Sequence, residues 1–174
     1  MRRLRFILLT RVNTRRHSLP DAGFTLVELL ITLVLVGIVL SMAVPALSGW
    51  LDNSNLKAGA RTMASDVAFM RESALSSGKT HRITFNAGAN QYTLRWDSDG
   101  AGTYADVPNY PALRTLSDSG SGVRITSVSQ STINFTARGT INPFGTVVIT
   151  NNRGSTATIT TVITGRSYVT YSIQ

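Results

Sequence analysis

Phe24-Thr25-Leu26-Val27-Glu28-Leu29-Leu30 opens the run FTLVELLITLVLVGIVLSMAVPAL, which stays apolar as far as Leu47 with Glu28 as its one charge. A helix of roughly 20 apolar residues crosses the hydrocarbon core of a bilayer, and this run is longer. Six arginines (Arg2, Arg3, Arg5, Arg11, Arg15, Arg16) and one acid, Asp21, precede Phe24 and leave that flank at +5. The remaining eleven lysines and arginines against eight acids leave the rest of the chain at +3. The positive-inside bias keeps the arginine flank cytoplasmic, so a single pass exports everything after Leu47. A secretory signal carries its small-residue cleavage site after the apolar core, whereas Ala22-Gly23 lies before it. Cutting there leaves the apolar helix on the mature chain. A carboxylate costs about 2.5–3.5 kcal/mol at a helix centre on insertion scales, so Glu28 asks for an explanation. A plain signal anchor tolerates it as a polar residue near the membrane edge.

Working outward, the apolar residues Leu56, Ala60, Met63, Val67, Met70 and Ala74 recur at spacings of four and three, one stripe of an amphipathic helix. Lys57, Arg61, Asp66, Arg71 and Glu72 are expected outside that stripe. Pro45 lacks the donor that continues the helical ladder, which predicts a bend, and Ser76-Ser77-Gly78 predicts the end of the helix. Beyond Gly78 the period becomes alternating. Strands are expected at Thr80–Phe85, Gln91–Trp96, Val123–Val128, Thr132–Thr136, Thr146–Thr150, Ala157–Ile163 and Tyr168–Ile173, rich in Thr, Val and Ile. The expected class is α+β: a long N-terminal transmembrane and amphipathic helix on a β-rich head of antiparallel sheets, the helix against one of them. The expected segments are a leader at 1–23, a membrane-spanning helix at 24–47, its amphipathic continuation at 48–78 and the head at 79–174.

Composition removes much chemistry. With no cysteine, a disulfide scaffold, a thiolate metal site and a thiol nucleophile are excluded. His17 and His81 lie far apart, too few for a histidine metal cluster or triad. Asp97, Asp99 and Asp106 do not meet calcium-loop spacing, and a solvated turn after Trp96 accounts for them better. Nothing in the chain forms a phosphate cradle or a nucleophile elbow. No catalytic residue, metal or cofactor is expected.

Gly23-Phe24-Thr25-Leu26-Val27-Glu28-Leu29-Leu30 closely resembles the prepilin motif of type IV pilins and type II secretion pseudopilins, and Pro45 and Gly37 match helix-kinking and helix-weakening positions of that family. The resemblance implies a prepilin peptidase cutting between Gly23 and Phe24, N-methylation of Phe24, and Glu28 as the assembly carboxylate. It implies a minor pilin-like subunit whose partners are other pilins or pseudopilins in a filament of type II protein secretion or a type IV pilus. Its place is the inner membrane, single-pass, with the N-terminus cytoplasmic and the head periplasmic. The order of helix, hairpin and short strands, with Ile133-Asn134-Phe135 before Arg138-Gly139 and Thr160 to Arg166 near the end, resembles the GspH/FimT group.

One alternative stays open. Arg124, Arg138, Arg153 and Arg166 lie in a C-terminal region whose only acid after Leu116 is Asp118, and guanidinium forks suit phosphate. Some FimT-like proteins are DNA receptors in natural transformation, with a Gly-Arg-x-Arg tail; Gly165-Arg166-Ser167-Tyr168 lacks the second arginine. Arg138, Arg153 and Arg166 are therefore the candidate DNA contacts, against a bland reading as solvated arginines that protect a sheet edge.

Overall fold

The computed structural model describes residues 23–120 and 122–174, so the leader expected at 1–23 lies, apart from Gly23, outside the described residues, as does His17. The chain divides between Leu40 and Ser41 into two compact units. Helix α1 (Leu26–Ser77) is 52 residues long and is unbroken at Pro45. Its start is capped locally: Thr25 Oγ1 accepts the Glu28 N–H at 3.1 Å, satisfying one of the donors that a first turn leaves orphaned. In the first unit the large apolar side chains from Leu26 to Leu40 are all more than half exposed.

In the second unit the stripe Leu56, Ala60, Met63, Val67, Met70 and Ala74 is 0–1% exposed. Burying each of the larger members contributes about 1.5–3 kcal/mol, so this stripe holds the helix on the head. The helix ends where Ser76 and Ser77 turn their hydroxyls back onto the Ser73 carbonyl, at 3.2 and 2.6 Å.

Two antiparallel sheets follow. The larger contains β1 (His81–Asn86), β2 (Gln91–Asp97), β3 (Tyr104–Asp106), β4 (Leu113–Thr115), β6 (Thr132–Phe135) and β7 (Ile141–Asn142). Its order is β3-β2-β1-β6-β7, with β4 also on β2. The smaller runs β10 (Ser167–Ser172), β9 (Thr156–Thr161), β8 (Thr146–Thr150), β5 (Arg124–Val128). Strict alternation of buried and half-buried residues in β1, β8 and β9 puts Ile83, Phe85, Val147, Ile149, Ala157 and Ile159 inside, where they join the helix stripe in one core.

Three expectations change. The helix is tied to both sheets rather than one, by Asp66 to β2 and β4 and by Arg71, Asn53 and Asp52 to loops around β7, β8 and β9. Strands β3 and β4, absent from the expected set, occupy successive stretches of the outer edge of β2, with Arg95 opposite Asp106 and Thr93 opposite Leu113. At three residues each they are too short to show a period, and pairing creates them. Third, Asp66 is 1% exposed.

Candidate functional site

Three places carry functional groups. The first is the helix start. Gly23, Phe24 and Glu28 are all exposed, and Phe24, at 84% exposure, contributes nothing to a core. Thr25 and Glu28 stand at the spacing of a capping box, but the Glu28 carboxylate makes no hydrogen bond or ion pair among the described residues.

The second is Asp66. Its carboxylate accepts the Tyr92 hydroxyl at 2.7 Å, the Tyr110 hydroxyl at 2.5 Å and the Arg114 guanidinium as a fork, Nε at 3.0 Å and Nη2 at 3.2 Å. One acid on α1 thus closes on β2, on β4 and on the loop before it. Tyr110 stacks on Phe69 of the helix at 3.8 Å. Burial and the adjacent Asp66 charge push the Tyr92 phenol far above its ordinary value of 10. Burial also raises Tyr110, reinforced by its bond to Asp66. Arg114 loses some charge stability to burial, and its bonds to Asp66 and Tyr110 more than restore it. Every lone pair of the acid is used, so this cluster is a clamp. Sequence reasoning missed it because Asp66 flanks the apolar stripe, three residues after Met63 and four before Met70, and its partners come from about 26 to 48 positions away.

The third place is the end of the head where two turns meet. In the β6–β7 turn Gly139 takes φ +75°, and in the β9–β10 turn Gly165 takes φ +80°. A Cβ on Gly165 would collide with Arg71 and the Gly139 carbonyl, and one on Gly139 would come within 2.9 Å of Leu75. Glycine is therefore required for close approach, with Arg71 Nε donating to the Gly139 carbonyl between the turns at 3.2 Å. This brings Arg71, Arg138 and Arg166 to one pole. Beside it a cleft of about 620 Å³ runs between the helix residues Ser65, Phe69 and Glu72 and the start of β10, with Arg71, Arg166 and Tyr168 in its walls. Arg153 is elsewhere: it pairs with Asp52 at 3.3 Å and reaches Ser48 at 3.1 Å. Asp52 and Arg71 are 19 positions apart on one helix, about 28 Å at 1.5 Å per residue. Arg124 is engaged by Asn152 at 3.0 Å. The three expected DNA contacts thus separate, and Arg71 joins two of them.

The remaining residues singled out in the sequence have structural partners. Asp97 Oδ1 accepts the Gly100 and Gly102 amides at 2.9 and 3.2 Å and is nearly buried rather than solvated. Donation by the Ala101 amide, then by the Thr103 hydroxyl, brings the Asp99 carboxyl down to about 2. Asp106 faces Arg95 at 3.7 Å on the surface. His81 is buried, with Nδ1 3.2 Å from the Lys79 carbonyl, and burial lowers its pKa. Among the described residues no group of three histidines or carboxylates is placed to hold a metal ion.

This architecture and its N-terminal signature have known counterparts. The family profile of the type II transport protein GspH matches residues 59–165. The chain belongs to the GspH family. The prokaryotic N-terminal methylation motif matches residues 20–44, ahead of the GspH region. The minor pseudopilin EpsH from the type 2 secretion system of Vibrio cholerae is similar in fold, with a TM-score of 0.56 at 13% identity over 67% of this chain and 97% of that one. The type IV minor pilin FimU of Pseudomonas aeruginosa is similar too, with a TM-score of 0.52 at 14% identity over 70% of this chain and 92% of that one. No curated protein sequence matches. This GspH-family chain is a minor pseudopilin-like or pilin-like subunit, and its family is a structural one. Its prepilin motif implies processing by a prepilin peptidase and assembly with other pilins or pseudopilins.

Proposed function

We propose that the peptidase cuts between Gly23 and Phe24, that the Phe24 amine is methylated, and that residues 24–47 then hold the subunit in the inner membrane. The N-terminus is cytoplasmic and the head, residues 79–174 on the helix continuation 48–78, is periplasmic until the subunit enters a secretion pseudopilus or a pilus. One observation supports this reading: α1 presents apolar side chains on all sides from Leu26 to Leu40, and the single carboxylate among them has no partner among the described residues. In a low-dielectric surrounding an unpaired carboxylate and an unpaired amine are each costly, and together they compensate. Cleavage creates that amine on Phe24, four residues from Glu28. Glu28 can satisfy its own amine or a neighbour's, which sets the axial register between packed helices.

The test is Glu28→Leu. Membrane insertion and cleavage remain, because a more apolar span inserts at least as well. Incorporation into sheared filaments falls, and Glu28→Asp keeps part of it. Full incorporation of Glu28→Leu would return Glu28 to the role of helix-cap neighbour, and mass spectrometry finding a mature N-terminus other than Phe24 would remove the processing site.

DNA uptake is a second reading, favoured by the pole of Arg71, Arg138 and Arg166 and no longer by Arg153, which is held by Asp52. Binding would depend steeply on salt and weaken alike for all sequences in Arg138→Ala/Arg166→Ala. Absence of any mobility shift at low salt would dismiss it.

A further inference from the structure

The edges of the two sheets differ in how they are protected. Unpaired edges invite another chain, and proteins blunt them with short strands, charges and bulges. Three edge strands follow that rule: β3 and β4 have three residues each and β7 two. At one side of the smaller sheet β5 starts with Arg124 and shifts register between Ile125 and Ser127. The other side does not follow it. β10, Ser-Tyr-Val-Thr-Tyr-Ser, pairs with β9 over all six residues without a shift, and it contains no charge, proline or glycine. Its outer side has no strand among the described residues, and Tyr168 and Tyr171 are 54% and 36% exposed.

The cleft opens at the first residues of this same strand, since Ser167 and Tyr168 line it. Its cations are uncommitted. Among the described residues the Arg166 guanidinium makes no hydrogen bond or ion pair, and Arg71 uses only Nε, leaving the terminal nitrogens of its fork unclaimed. Phe69 and Ala68 supply an apolar wall, and Glu72 adds a negative charge that disfavours a run of phosphates. A guanidinium pair beside an apolar wall suits a single carboxylate carried on a side chain.

We infer that β10 and the Arg71–Arg166 cleft form one docking surface for an extended segment of another protein chain, which adds a strand to β10 and places an acidic side chain between the two arginines. Main-chain pairing supplies affinity and the carboxylate fixes register and specificity. The inference rests on the subunit reading only in taking the occupant to be a protein, and it concerns the head, whereas the Glu28 test concerns the helix; either can fail alone.

The experiment uses the full chain in detergent micelles and the fluorescein-labelled peptide TVTEVTVT, read by anisotropy, beside TVTQVTVT, TVTKVTVT, a copy of the first with alternate backbone amides N-methylated, and oligo-thymidylate. Arg166 is exposed, so Arg166→Glu leaves the fold in place. The acidic peptide is expected to bind about tenfold tighter than its glutamine and N-methylated counterparts. Arg166→Glu is expected to abolish that preference and transfer it to the lysine peptide. Equal binding of the acidic and glutamine peptides would overturn the role of the cleft, and indifference to N-methylation would overturn strand addition. Binding of oligo-thymidylate without the acidic peptide would make the pole a nucleic-acid surface instead.

Discussion

Two carboxylates on one helix, Glu28 and Asp66, have opposite fates. Glu28 sits among side chains that are more than half exposed and has no partner among the described residues; Asp66 is 1% exposed and accepts four hydrogen bonds. Their apolar neighbours differ in the same sense, since Leu33 is 61% exposed and Met63 0%. A single α1 thus meets two environments. Its head portion is finished within the subunit, with core and clamp complete. Its N-terminal portion is apolar without a core, and its carboxylate has no counter-charge among the described residues.

The contrast is broken most severely at Asp66. Asp66→Ala strands the Arg114 charge and the Tyr92 hydroxyl, and costs the head about 3–5 kcal/mol, toward the lower value because Arg114 is 28% exposed and reaches water. Chemical denaturation of the full chain measures this, and a loss below 1 kcal/mol would show the clamp to be decorative. Next in size is Met63→Ala, expected to cost about 2–5 kcal/mol through the cavity it leaves. Leu33→Ala, equally apolar, should leave head unfolding unchanged. If both shift the transition alike, the division of the helix into two environments fails.

Titration sharpens the comparison further. The Tyr92 phenol has a raised pKa in the fold, so its contribution is intact below the unfolded value of 10 and is lost as pH rises above it. The unmodified protein should therefore lose stability above pH 10, and Tyr92→Phe should flatten that limb. The smallest effect concerns His81, whose folded pKa is lowered by burial. Its contribution is present above its ordinary value of 6.5 and declines as pH falls from there toward the folded value. Melting temperatures between pH 7 and pH 5 should fall with a gentler slope in His81→Gln, and an unchanged slope would assign the acid limb to other groups.

What could be read from the sequence alone was local. The run Phe24–Leu47, the four-and-three spacing from Leu56 to Ala74 and the alternation in Thr146–Thr150 each express a period that neighbouring residues impose on one element, and such periods need no knowledge of the rest of the chain. The octet from Gly23 to Leu30 is likewise contiguous, so the motif could be recognised without a fold. The tertiary structure alone decided the rest. β3 and β4 are strands because β2 has an outer edge to offer them. Asp66 is buried because Tyr92, Tyr110 and Arg114 arrive from distant positions to accept the exchange of water for their own donors. Arg153 and Arg166, only 13 positions apart in the chain, are drawn to the middle of α1 and towards its C-terminal end by Asp52 and by the close approach of Gly139 and Gly165, while Arg71 and Arg166, separated by most of the head's sequence, line one cleft. Which charges are committed and which remain free depends on those long-range meetings, and no spacing along the chain encodes them.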